Sequence, residues 1–397
     1  MKFALLGTDE ESLPLALAAV EAGHEIVWSG DDAAARSGRE LPWLCAEDLA
    51  GQWEALLDHR TCSAVIVGRG DIAPAVRAEQ VIQLVKNGVA VLTTYPLVES
   101  VLSYYEIDMV RCESNAVLHH FNPLVQQHAL IEEIAHWVSE GHPELGRVEQ
   151  ISWHRPLVDR TREQALWHFA RDVELLGDVA GRLNRLGAHG SPDEEATYAG
   201  LSVQLLGKSK IPVRWEVGPK EQGAWPRMVL VAANGMLSWE LNDTAETLQI
   251  ELNQAGKSKI QSVVAVDVFA TAIDRFVSAV ELREAGRSTW PAALHAMELT
   301  DTIEISLRRG RMIDVHDQQL TEQMAFKGTM SALGCGLLMV LPPVLIAAGW
   351  FAEKAGLPFA NYWAHALLAL LAVFLAFQLL PRLLLNPTAS EQEERGD

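Results

Sequence analysis

Two long apolar runs close the chain, and few features restrict a fold as strictly. From Gly328 to Ala352, and again from Ala355 to Pro381, the sequence contains no Asp, Glu, Lys or Arg. A hydrocarbon core about 30 Å thick takes about 20 helical residues to cross, because every backbone polar group must be paired inside the helix. Both runs reach that length, whereas a helix buried in a water-soluble core ordinarily keeps a polar stripe. They predict a transmembrane hairpin over 328–381, kinked in its first helix at Pro342 and Pro343 and opened in its second by Tyr362 and Trp363 at a water–lipid boundary. Arg308, Arg309, Arg311 and Lys327 precede the first run and Arg382 follows the second, while the connection offers only Lys354 beside Glu353. Basic residues gather on the cytoplasmic side of a membrane. The expected topology is therefore in-out-in, an inner-membrane protein with two spans whose body and acidic tail, 382–397, both face the cytoplasm. The opening MKFALLGTDEE has too short an apolar stretch for a signal-peptide core.

Charge narrows the partners. A formal net charge of −20 with no basic stripe argues against nucleic acid and against anionic lipid surfaces, so the bilayer enters as a partner only through the hairpin. Cys45, Cys62, Cys112 and Cys335 show neither a CxxC pair nor metal-type spacing and read as free thiols in a reducing compartment.

Up to about residue 122 the chain alternates strand and helix patterns. KFALLGT reads as a buried strand, SLPLALAAVEAG as a helix ending at a glycine and HEIVWSG as the next strand. SAVIVG, VIQLVKNG and VAVLTTYP repeat that order, and AVLHHF adds a strand. The fold class is α/β: a Rossmann-like, doubly wound parallel sheet over 1–122. From 123 to 327 the pattern changes to α+β. GRVEQISWHRP is a strand, TREQALWHFARDVELLGDVAG a helix, and LSVQLLG, IPVRWEVG, RMVLVAA, GMLSWEL and TLQIELN are candidate strands of a largely antiparallel sheet. A long helical region then runs from about Ala265 to Arg311.

The phosphate loop departs from its usual form. Where G-x-G-x-x-G would lie, the chain reads Gly7, Thr8, Asp9, Glu10, Glu11, Ser12, so only the first glycine is kept. Asp9 stands where backbone N–H groups should approach a diphosphate, and the acids suit the helix N-terminus but repel phosphate. Gly7, Thr8 and Ser12 remain candidate cofactor contacts. Asp31 and Asp32, about 20 residues on, have the spacing of a ribose-binding acid that favours NAD over NADP, and equally that of turn residues.

The order of elements resembles the Gfo/Idh/MocA family of oxidoreductases, named for glucose-fructose oxidoreductase and inositol dehydrogenase. Residues 269–315, FATAIDRFVSAVELREAGRSTWPAALHAMELTDTIEISLRRGRMIDV, look like that family's closing helices and final strand. VKNGVAVLTTYPL, HWVSEGHPELGRVEQI and LWHFARDVELLGDVAG fit, in order, its strand before a Glu-Lys-Pro motif, its domain crossover and its helix with a catalytic Asp and His. The resemblance covers residues 1 to about 316 and implies NAD or NADP as cofactor, a small sugar-like ligand, and a homodimer or higher even oligomer through the outer face of the second sheet.

It does not carry the chemistry over. The family's Glu, Lys and Pro fall on Thr94, Tyr95 and Pro96, its Asp on Trp167 and its His on Arg171. Thr94 and Pro96 stay candidate cofactor contacts. A tyrosine phenol of lowered pKa beside a cation can exchange a proton, which makes Tyr95 and Arg171 candidate catalytic residues. His168 joins them as a neighbour, although adjacent helix residues point about 100° apart. Trp167, His120 and Asn122 are candidates for the substrate cleft. His119, His120 and His154 lack any helical or carboxylate-paired metal spacing, so no metal is expected. Two function classes stand side by side: a catalytically altered or inactive ligand-binding or scaffolding protein, and an NAD(P)-dependent oxidoreductase on a sugar-like or cell-envelope precursor.

Overall fold

Period-two alternation in the N-terminal strands sends their side chains into two separate cores. A computed structural model describes residues 1–30, 53–190, 198–241, 247–284, 286, 288–315, 350 and 354. The first sheet is parallel, with strands β1 (Lys2–Leu6), β2 (Glu25–Ser29), β3 (Ala64–Val67), β4 (Ala90–Thr94) and β5 (Leu118–Phe121) in the order 2-1-3-4-5. Helices α1 (Ser12–Glu21), α2 (Pro74–Lys86) and α3 (Val101–Ser114) connect them. The second sheet holds β6 (Val148–Leu157), β7 (Leu183–His189), β8 (Ser202–Gly207), β9 (Val213–Pro219), β10 (Arg227–Ala232), β11 (Gly235–Glu240), β12 (Thr247–Gln254), β13 (Lys257–Val264) and β14 (Ile313–Asp314). Their order is 13-12-11-10-6-9-8-7-14, antiparallel at every seam except β6 with β9. Helices α4 (His128–Glu140), α5 (Arg162–Ala180), α6 (Val268–Glu281) and α7 (Trp290–Arg309) complete the body.

Phe3, Leu5, Ile66 and Leu92 meet α1 through Leu15 and Ala19, and meet α6, which returns from far along the chain, through Ile273 and Phe276. Ala4, Leu6, Val65 and Val91 face the other way, toward Val81 and Leu84 of α2 and Tyr104 and Ile107 of α3. That second core runs on without a break into the inner face of the nine-stranded sheet. Burial on both faces is what a parallel sheet requires, and it explains why these strands read as continuous apolar runs.

The long helical region from about Ala265 to Arg311 consists of two helices, α6 and α7. Asp267 starts α6 by accepting N–H bonds from Phe269 and Ala270, both 3.0 Å, and Pro291 opens α7, where its missing N–H costs nothing. β13 escaped the sequence reading because its residues are almost all exposed: it is an edge strand with no buried face to write an alternation. The apolar alternation of RMVLVAA and GMLSWEL, assigned to a subunit surface, is divided: Met228, Leu230, Leu237 and Trp239 turn into the core. Both hairpin runs lie outside the described residues apart from Trp350, and of their connection only Lys354 is described. Among the described residues no helix is long and apolar enough to cross a membrane. Cys62 and Cys112 are free thiols, while Cys45 and Cys335 lie outside the described residues.

One buried carboxylate fastens α5 to the second sheet. Asp172 is fully buried and accepts the indole N–H groups of Trp153 on β6 and Trp215 on β9, each at 2.8 Å. Arg155 grips the same carboxylate with Nε at 2.8 Å and with Nη2, a fork that suits carboxylate geometry. Removing one partner of such a pair strands the other charge in the interior, which costs about 3–5 kcal/mol. Asp172→Ala should lose that amount in chemical denaturation followed by tryptophan fluorescence. A loss below about 1 kcal/mol, the worth of an exposed pair, would show that the carboxylate does not hold the sheet to the helix.

Candidate functional site

In open α/β sheets a crevice forms at the carboxyl ends of the strands where the chain order reverses, here between β1 and β3. Gly7 ends β1 with φ +76°, and a Cβ there would lie 2.2 Å from Arg77 Nη2 and 2.6 Å from the Gly68 carbonyl oxygen, so the turn accepts only glycine. Two residues on, the Asp9 carboxylate turns back into the crevice. Its Oδ1 accepts N–H bonds from Glu11 (3.1 Å) and Ser12 (2.8 Å) at the start of α1. Its Oδ2 accepts from the Arg69 backbone N–H (2.8 Å) and the Thr94 hydroxyl (2.7 Å). Ser12 Oγ completes a reciprocal cap by accepting the Asp9 N–H at 2.8 Å.

Thr94 thus points into the crevice, and alternation along an extended chain sends its neighbour the other way. Tyr95 is buried in the core, its ring edge-on to Tyr104 and His120 and its hydroxyl near the carbonyl oxygens of Ala293 (3.2 Å) and Ala170 (3.4 Å). Burial, with Tyr104 and Glu174 nearby, pushes its phenol pKa well above the ordinary value, against a smaller pull from Arg171. The low-pKa phenol in the cleft that the sequence suggested is not what the structure shows. The Pro96 carbonyl accepts Arg69 Nε at 2.8 Å, and Thr8 is buried in the turn. Asp31 and Asp32 lie outside the described residues.

The first turns of α5 form the opposite wall. The Arg171 guanidinium stands 4.4 Å from the Trp167 ring centre and that of Arg69 5.0 Å from it, while Arg171 Nη2 is bonded to the Glu11 carboxylate. Burial raises the Glu11 pKa, and Arg171 opposes the rise. His168 packs edge-on against Trp167. Burial first, then the charges of Arg155, Arg171, Lys220 and Arg69, lower its pKa to about 2, so its ring is neutral under ordinary conditions. His120 and Asn122 do not reach this wall. His120 Nε2 lies 2.7 Å from Glu174 Oε1, and Asn122 Nδ2 donates to Glu174 Oε2 at 2.7 Å and to the Arg171 carbonyl at 3.0 Å, so both hold α5 from behind.

A cleft of about 540 Å³ remains between Glu10, Glu11, Arg69, Arg155, Trp167 and His168. Arg69 and Arg155, and the pairing of Glu11 with Arg171, were missed in the sequence because they rest on contacts between distant elements, with no local pattern to mark them. Among the described residues no group of three or more His, Cys, Asp or Glu side chains could hold a metal ion. A dinucleotide is the group this fold implies, and the residues at the crevice do not fit it: the helix-start amides and the close approach at position 9 are taken by Asp9.

No family model matches the sequence, and no curated protein matches it. Solved structures match in fold. A candidate NADPH-dependent oxidoreductase from Desulfitobacterium hafniense superposes with a TM-score of 0.64 at 16% identity, covering 79% of this chain and 97% of that one. The 3-ketoreductase KijD10 from Actinomadura kijaniata, in complex with NADP, gives 0.62 at 18%, covering 77% and 97%. A candidate myo-inositol dehydrogenase from Sinorhizobium meliloti gives 0.59 at 16%, covering 80% and 100%. The structural neighbours are oxidoreductases of the Gfo/Idh/MocA type, and the body of this chain has their fold.

The depressed His168 pKa has a consequence for stability. The unfolded histidine takes up a proton near pH 6.5 and the folded one only near pH 2, so its contribution is present above pH 6.5 and is lost as pH falls through that interval. Its share of the slope approaches about 1.4 kcal/mol per pH unit as a ceiling, reduced because cleft water reaches the ring. Urea denaturation at pH 7 and pH 5 should show a smaller acid loss for His168→Gln than for the wild type. Equal losses would place a charged, solvated ring at this position.

Proposed function

We propose that the chain is a ligand-binding protein built on an oxidoreductase fold, catalytically altered, which takes a small sugar-like molecule into the cleft and is tethered to the inner membrane by its C-terminal hairpin. The observation that carries this reading is the fate of the three positions that resemble the family's proton-handling set. Tyr95 lies in the core, Trp167 has no proton to exchange near neutrality, and Arg171 is paired with Glu11. What remains suits binding. Trp167 lines the cleft with the Arg69 and Arg171 guanidiniums over its ring, and the neutral His168 and the guanidiniums of Arg69 and Arg155 offer hydrogen bonds around it. KijD10, in complex with TDP-benzene and NADP, supports the idea that this fold can accept a small organic ligand. The even oligomer belongs to the same proposal and is supported by Val229, Val231, Met236 and Ile260, which share the outer face of the second sheet.

Titration with sugars, sugar acids and cyclitols, followed by tryptophan fluorescence, tests the cleft. Saturable quenching is expected in the wild type and in Tyr95→Phe, with at least a tenfold loss of affinity in Trp167→Ala, about 1.4 kcal/mol. NAD(P)-dependent turnover that disappears in Tyr95→Phe would contradict the reading and restore the oxidoreductase alternative. The tether is tested by fractionation: the full chain should sediment with membranes and be released by detergent but not by high salt, and a chain ending before Gly328 should stay in the supernatant. Full-length protein in the supernatant without detergent would remove the hairpin from the account.

A further inference from the structure

We propose that Asp9 is a built-in substitute for the cofactor diphosphate, and that Glu11 ties the start of α1 to α5 with no dinucleotide bound. Repulsion by acidic residues is what the sequence suggests at this loop; the geometry points to occupancy. A helix cap needs one oxygen, and Oδ1 fills that role on Glu11 and Ser12. Oδ2 does something a cap does not require. It gathers the backbone N–H of Arg69, 60 residues away, and the hydroxyl of Thr94, 85 residues away. The carboxylate therefore draws on donors from the start of α1, the loop after β3 and the end of β4 together, where folds of this kind present their anion-binding groups. All four bonds lie at 2.7–3.1 Å, within the range of well-formed hydrogen bonds.

Glu11 extends the same device across the cleft. Its carboxylate bonds Arg171 Nη2, so the first turn of α1 is tied to α5. Here the chain supplies both the anion and the tie. Because the occupant is part of the chain, dilution does not release it, and an external diphosphate must displace a tethered competitor of like charge. The inference concerns the cofactor alone and stands apart from whether the cleft takes a sugar-like ligand.

Titration of the full-length protein in detergent with NADH and NADPH, followed by cofactor fluorescence and calorimetry, tests it. The wild type should show no saturation up to about 1 mM, the weak end of specific binding. Asp9→Gly, and more so Asp9→Gly with Glu11→Gln, should bind at least tenfold more tightly, and ADP-ribose should compete. Where Asp9→Gly fails to fold, judged by circular dichroism, Asp9→Asn serves: it keeps an oxygen for the helix cap, removes the charge, and should still improve binding over the wild type. Micromolar binding by the wild type that ADP-ribose competes away would overturn the proposal, and so would folded variants that bind no better than the wild type. Sugar titrations of the same samples read the cleft separately, so a failure there counts against the ligand-binding function and not against the role of Asp9.

Discussion

The carboxylate of Asp9 sits where the first sheet, its first helix and the loop after β3 converge, and the arrangement of the crevice depends on it. The carboxylate is part-buried, and four donors meet the lone pairs that it turns away from water. Those bonds place Thr94 toward the crevice and hold Arg69 at the height of Trp167. With Thr94 turned inward, Tyr95 is directed to the opposite side, into the core. The burial of Tyr95 and the four-donor seat of Asp9 are thus two ends of one local geometry.

Helix α5 carries the second half of the account within one turn. Residues one apart on a helix point about 100° apart, so neighbours can serve different parts of the molecule. Arg171 reaches Glu11 at the start of α1, Asp172 takes Arg155 and two tryptophans of the second sheet, and Glu174 takes His120 and Asn122 at the end of β5. This turn works as a fastening between the two sheets, and the cleft is left with an indole, a neutral imidazole and guanidiniums whose charges are largely balanced by nearby carboxylates.

Much of the fold was legible because burial writes itself into periodicity. The apolar stretches of β1, β3 and β4 are continuous since both faces of these inner strands are covered, and β10 and β12 alternate since one face is. β13 has no buried face and left no trace. At the site, resemblance located Tyr95, Trp167 and Arg171 along the chain, but periodicity says nothing about which way a residue turns once its strand has ended. The partners of Asp9, Glu11 and Asp172 lie between 17 and 160 residues away where they matter most, and contacts of that range have no signature in a single sequence.

The most direct measurement of the central claim is a crystal structure of the body-bearing chain grown with saturating NADP. The account predicts the Asp9 carboxylate on the amides of Glu11, Ser12 and Arg69 and on the Thr94 hydroxyl, with no diphosphate in the crevice. Diphosphate oxygens on those amides, with Asp9 swung out to solvent, would contradict it.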